Sequence, residues 1–139
     1  MISVKEIEVR YNETDQMGIV YHGNYVIWCE LGRTQFFSDL GYNIMDLEEQ
    51  GILFPIREVN IEYLKPCKYG EKITIHTQVK EFSAIKTIYY HEIRCGDELR
   101  ARGTTTLVCI KKAGFQLTKL SKVAPEVYQT YLNLTKKDD

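Results

Sequence analysis

A chain of 139 residues, 44% hydrophobic and 27% charged, fits one globular domain over 1-139 that buries roughly two thirds of its unfolded surface. Its formal net charge of -1 supplies no broad positive field for nucleic acid or an anionic membrane, so any anion site must be local. The opening "MISVKEIEVR" has neither the apolar core nor the cleavage site of a secretory leader, and no run of about 18 apolar residues follows; a cytoplasmic protein without membrane insertion is expected.

From Val4 to Tyr11, Ile7, Val9 and Tyr11 alternate with Glu6, Glu8 and Arg10, the period-two pattern of a half-buried strand. From Asn24 to Leu40 the period changes: Tyr25, Trp28, Leu31, Gln35, Phe36 and Leu40 recur at helical spacing, and Gly41 stands where a C-cap would. Val26, Ile27, Cys29 and Phe37 also lie on this helix, so most of its circumference should be covered. After a short helical segment, "IMDLEEQ", strands are expected over Leu53 to Leu64, Lys72 to Glu81, Ile85 to Arg94 and Leu99 to Ile110. The breaks "KPCKYGE", "EFSA" and "CGDE" are short enough for hairpins, which predicts an antiparallel meander. Pro125 opens an amphipathic stretch, "PEVYQTYLNL", that predicts a C-terminal helix, and the tail "TKKDD" should fray.

One apolar helix and one sheet make an α+β domain, and a strongly curved sheet wrapped around the helix is the economical packing. Such a sheet leaves an edge strand to be covered, commonly by a second copy. The cysteines Cys29, Cys67, Cys95 and Cys109 form no Cys-x-x-Cys pair and have no neighbouring histidine, so no metal is expected and they read as reduced core or strand residues. His76 and His91 read as ordinary strand positions.

Asp15, Gly18, Val20, Tyr21, His22, Asn24, Tyr25, Glu30 and Arg33 together form a pattern, TDxxGxVxxxxYxxxxExxR. The pattern resembles the hydroxybenzoyl-CoA thioesterase-like branch of the hotdog-fold acyl-CoA thioesterases, and "VNIEYLKPCKYGEKITIHTQV" is similar to the strand, Pro-containing turn and strand of that family. The likeness runs from Val4 to Ile110. It implies the hotdog fold and hydrolysis of an acyl or aroyl thioester to free acid and CoA, with CoA thioester as substrate and no cofactor. It also implies a homodimer, with a tetramer left open, and a site drawn from two subunits.

Chemistry agrees with that implication. Thioester hydrolysis needs a group that activates water or attacks the carbonyl, and donors for the oxyanion that develops. Asp15 supplies the first as general base or nucleophile. The N–H groups near Tyr21, His22 and Gly23 supply the second, because a first helical turn has unpaired donors and a dipole that favours negative charge. The resemblance assigns His22 its backbone N–H rather than its ring. Gly18 would permit a tight turn and Gly23 a close substrate approach, with Tyr21 and Tyr25 as further substrate contacts. The alternative is that Asp15 only caps a turn, since "NETDQMG" is rich in side chains that bond their own backbone. Glu30 and Arg33, three apart, most simply form an ion pair. For CoA phosphates, the resemblance points to late turns, here Ser83, Ala84, Lys86 and Thr87. A hotdog hydratase and a non-catalytic acyl-CoA-binding module are the competing functions; the first lacks its "NPxH"-type stretch and the second has no need of Asp15.

Overall fold

The computed structural model describes residues 1–136, so the tail expected to fray lies partly outside the described residues, at 137–139. Its elements in chain order are β1 (Ser3–Glu8), a turn of 3-10 helix at Tyr11–Glu13, α1 (Asn24–Asp39), α2 (Ile44–Glu49), β2 (Ile52–Leu53), β3 (Ile56–Tyr63), β4 (Lys72–Phe82), β5 (Lys86–Cys95), β6 (Glu98–Val108), β7 (Ile110–Lys111), β8 (Gln116–Leu117), α3 (Leu120–Val123) and α4 (Pro125–Lys136). Thr135 and Lys136, the start of the tail, complete the last turn of α4.

The main sheet is antiparallel with spatial order β1-β4-β5-β6-β3. This corrects the expected meander. "EFSA" and "CGDE" do turn hairpins, but the segment after β3 crosses the sheet, so β3 pairs with β6 and leaves β4 to pair with β1. Two further expectations fail locally. The first strand stops at Glu8 rather than Tyr11, whose ring is exposed, and the run from Leu53 to Leu64 divides around Pro55, which has no N–H for a ladder and whose carbonyl accepts from Val108 at 3.1 Å. β2, β7 and β8 form a second small sheet.

Irregular register at Val79/Glu81 in β4 and at Ile93/Arg94 in β5 bends the strands around α1. The helix buries Tyr25, Trp28, Cys29, Gly32, Phe36 and Phe37 against them. Its near half packs with Val9, Ile73, Ile75 and Ile93; its far half packs with Tyr89, Val127 and Tyr131 beneath α4. Trp28 and Phe36 are both fully buried, and truncating either to Ala would cost about 3–5 kcal/mol. Closest approach falls at Gly32, where a Cβ would collide with Thr77 Oγ1 and lie 2.9 Å from Ile75 Cγ2. Below it a buried polar chain crosses the sheet: Thr77 Oγ1 to His91 Nδ1 at 3.0 Å and His91 Nε2 to Thr105 Oγ1 at 2.8 Å.

The helix is less covered than its composition predicts. Ile27 is 51% and Leu31 37% exposed, and β3, whose outer edge is unpaired, leaves Val59 and Tyr63 exposed as well. Ile27, Leu31 and Val59 thus present apolar surface that one chain leaves open.

Candidate active site

The loop between β1 and α1 is a compact turn. Asp15 N–H donates to the Ile19 carbonyl at 2.9 Å, Gly18 N–H donates to the Asp15 carbonyl at 3.0 Å, and Thr14 bridges Val20. Gly18 sits at φ +79°, the left-handed conformation this turn requires. Asp15 Oδ1 accepts from Met17 N–H at 2.8 Å, so the carboxylate does cap its own turn, as one reading of "NETDQMG" expects. Its other oxygen has no protein partner among the described residues, so capping occupies only half of the group.

Glu13 anchors the rest of the loop. Its carbonyl accepts from Tyr21 N–H at 2.9 Å and from the Asn24 amide at 2.8 Å. Its buried carboxylate accepts from Arg10 N–H at 2.9 Å and from Trp28 Nε1 at 2.9 Å. Burial pushes that carboxyl upward, but the hydrogen bonds from Arg10 and Trp28 outweigh it and hold the group below the ordinary glutamate range. The Tyr21 N–H is therefore committed and cannot join an oxyanion hole. At the helix head the N–H groups of His22 and Gly23 donate to no protein acceptor among the described residues.

Asp15, Met17, Ile19, Val20, His22 and Tyr25 line a cavity of about 290 Å³, closed on the other side by Tyr63, Leu64, Lys65 and Pro66. Tyr63, from the end of β3, donates its hydroxyl to the His22 carbonyl at 2.9 Å and packs edge-on against Tyr25 with ring centroids 4.9 Å apart. Tyr25 is itself buried, and burial together with Cys67 raises its hydroxyl far above the ordinary tyrosine range, so it stays protonated as a wall of the cavity. The room that Gly23 makes is already taken: a Cβ there would lie 2.8 Å from the Tyr21 ring.

The structure thus brings Asp15, Gly18, Tyr21, His22, Gly23 and Tyr25 together. It does not bring Ser83, Ala84, Lys86 and Thr87 to them within one chain. The Ser83 turn closes the end of β4 opposite to the end that lies beside Val9, roughly 33 Å away along the strand. Ser83 Oγ also accepts from Lys86 N–H at 3.1 Å, while the Ala84 carbonyl accepts from Leu120. The expected Glu30–Arg33 ion pair is absent: no carboxylate approaches the Arg33 guanidinium within salt-bridge range among the described residues, because the side chain turns inward beside Tyr89 while Glu30 remains exposed. Sequence reading missed Glu13 and Tyr63 as parts of the site. Glu13 lies in the motif stretch but meets Trp28 only when the loop folds back, and no local signal joins Tyr63 to His22. Among the described residues no group of three or more His, Cys, Asp or Glu side chains is placed to hold a metal ion, and no helix is long and apolar enough to cross a membrane.

Comparison with known proteins identifies relatives of the whole chain. The profile of the "Thioesterase-like superfamily" matches residues 9–130. A protein of Bacillus subtilis (strain 168), the "Putative acyl-CoA thioesterase YneP", is 44% identical over 131 residues, 94% of this chain and 95% of that protein. The "Acyl-CoA thioesterase YbgC" of Helicobacter pylori is 36% identical over 87 residues, 63% of each chain. Among solved structures, a DHNA-CoA thioesterase from Staphylococcus aureus superposes with a TM-score of 0.97 at 38% identity, covering 99% of this chain and 93% of that one. The hotdog arrangement of helix and antiparallel sheet is accordingly shared.

Proposed function

This chain belongs to the thioesterase-like superfamily, and from that premise we propose that it hydrolyses an acyl- or aroyl-CoA to the free acid and CoA with Asp15 as the acting carboxylate. One observation carries the assignment to Asp15: a carboxylate with one unpartnered oxygen lines the same cavity as His22, whose N–H, like that of the adjoining Gly23, donates to no protein acceptor among the described residues.

As general base, Asp15 takes a proton from water while the resulting hydroxide adds to the thioester carbonyl. The oxyanion accepts from the His22 and Gly23 N–H groups at the head of α1, where the helix dipole also favours negative charge. Collapse expels the CoA thiolate, which takes from Asp15 the proton abstracted from water and so returns the carboxylate to its charged form. As nucleophile, Asp15 would add to the carbonyl itself, release the thiolate and leave an acyl–aspartyl anhydride for water to cleave. Tyr25 and Tyr63 give the cavity aromatic walls, which suits an aroyl group. Tyr63 also fixes the peptide that carries the Gly23 N–H by holding the His22 carbonyl.

A second copy completes the proposal. The open edge of β3 and the exposed Ile27 and Leu31 of α1 are the surfaces a homodimer would cover, and a partner's Ser83–Thr87 turn could approach a phosphate that this chain's own turn cannot reach. CoA is the leaving group, and no cofactor enters either route. Thiol release from a panel of acyl- and aroyl-CoA thioesters, DHNA-CoA included, tests the reading. Turnover of at least one member is expected; a panel with none turned over would overturn it.

A further inference from the structure

A second cavity, of about 210 Å³, lies between the far half of α1, α2, the sheet and α4. Helical rise of about 1.5 Å per residue places Arg33 roughly 14 Å along α1 from Asn24, well away from the Asp15 end. Phe37, Leu107 and Val127 give it apolar walls, while Arg33, Tyr89 and Tyr131 bring polar groups into it. Arg33 Nη1 is shielded from solvent and has no hydrogen-bond partner, the sole such buried side-chain atom among the described residues. A desolvated guanidinium nitrogen left unpaired is costly, and the group stays protonated in proteins, so a matching anion would remove that local cost. Tyr89 and Tyr131 share one hydrogen bond at 2.7 Å, so whichever hydroxyl accepts still has its own O–H to donate.

We propose that this cavity binds a small monocarboxylate with an apolar body, an aryl or short alkyl carboxylic acid, whose carboxylate takes the Arg33 guanidinium. Charge and size select that class. A single cation faces the cavity, and the exposed Glu30 and Glu48 also line it, which disfavours phosphates and other multiply charged anions. An apolar cavity of about 150 Å³ already accepts benzene, so this one has room for a ring and its carboxylate. The carboxylate receives Arg33 and the spare tyrosine O–H, while the ring lies against Phe37, Leu107 and Val127. This is the chemical class of acid that the proposed reaction releases, but the site uses no residue of the Asp15 cavity.

The test is calorimetric titration of the full chain with benzoate and with benzamide, for wild type, Arg33→Met and Leu107→Trp, each checked by circular dichroism. Benzoate should bind wild type at least about tenfold more tightly than benzamide, the difference expected of a charge-assisted hydrogen bond. Arg33→Met should remove that preference, and Leu107→Trp, which fills the cavity, should weaken both ligands. Absence of benzoate binding, equal binding of the amide, or benzoate affinity unchanged in Arg33→Met would each overturn the proposal; the last would place the acid in the other cavity. Dissociation of the assembly by Arg33→Met, with no benzoate bound by wild type, would overturn it in favour of a carboxylate from a second copy. If Arg33→Met fails to fold, the wild-type preference for benzoate together with weakened benzoate binding in Leu107→Trp decides, and benzoate affinity unchanged in Leu107→Trp overturns the proposal. Neither titration reads thioester turnover, so its failure is distinguishable from failure of the hydrolase reading.

Discussion

The Tyr63 hydroxyl at the end of β3 donates to the His22 carbonyl at the head of α1, a 2.9 Å bond across 41 positions of sequence. It fixes the peptide whose nitrogen belongs to Gly23, one of the two open donors to which the proposed mechanism assigns the oxyanion. Replacing Tyr63 by Phe keeps the edge-on packing on Tyr25 and removes only the hydroxyl. The loss should cost about 1 kcal/mol in the barrier, roughly a fivefold drop in kcat, with a similar or smaller loss of stability. Steady-state rates beside melting curves check this, and an unchanged kcat would show that the bond plays no part in positioning.

Asp15→Asn should reduce thiol release by about a hundredfold or more while leaving fold and assembly intact. The amide oxygen still accepts from Met17 N–H, so the turn is kept; basicity and negative charge are lost. Turnover of an accepted acyl-CoA by both proteins decides the point. A variant that keeps more than about a tenth of wild-type activity would remove Asp15 from the mechanism.

Glu13→Gln is expected to act through the loop rather than the chemistry. Both carboxylate oxygens accept, one from Arg10 N–H and one from Trp28 Nε1. An amide offers one acceptor and sets its NH2 group against the remaining donor. Leaving that donor unpaired should cost about 1–3 kcal/mol of stability. Thermal or urea unfolding measures it, and a melting curve superposing on wild type would contradict the anchoring role.

Acid should destabilise the protein through His91 before carboxylates contribute. Burial, and secondarily Arg33, depresses its imidazole from the ordinary 6.5 to about 3. The unfolded chain therefore binds a proton that the folded chain refuses, and stability falls as pH drops from 6.5 toward 3, by about 2 kcal/mol at pH 5. Glu71, held down to about 2 by its hydrogen bonds with Arg100, loses its stabilising effect only below its ordinary 4.5. Melting temperatures measured between pH 7 and pH 4.5 should decline in wild type and stay nearly level in His91→Gln, which retains bonding capacity toward Thr77 and Thr105. An equal decline in both proteins would assign the acid sensitivity elsewhere.

Activity should depend on protein concentration. The unpaired edge of β3 and the exposed Ile27 and Leu31 predict that a dimer is the smallest active unit. Light scattering on a dilution series, with rate per chain followed in parallel, is the measurement; a monomer of full specific activity would sink the two-copy site.

Several elements were legible because their cause is local. The helical recurrence of Tyr25, Trp28 and Phe36 gives α1 within a residue of its end, Gly18 marks the turn its φ demands, and the strands beyond Lys72 follow from period-two alternation. The Asp15 motif likewise lies within one short stretch, so its assembly at the head of α1 needs only that stretch to fold. Local pattern could not place β3, because its partner β6 lies about 40 residues away in sequence and no turn joins the two, so nothing in either segment names the other. Nor could it show that Glu13 takes Trp28 as its partner, that Tyr63 holds His22, or that Arg33 forsakes Glu30 for the interior. Hydrogen bonds and buried charges depend on distances across the fold, and only the packed tertiary structure decides which donors find acceptors and which, like Arg33 Nη1, do not.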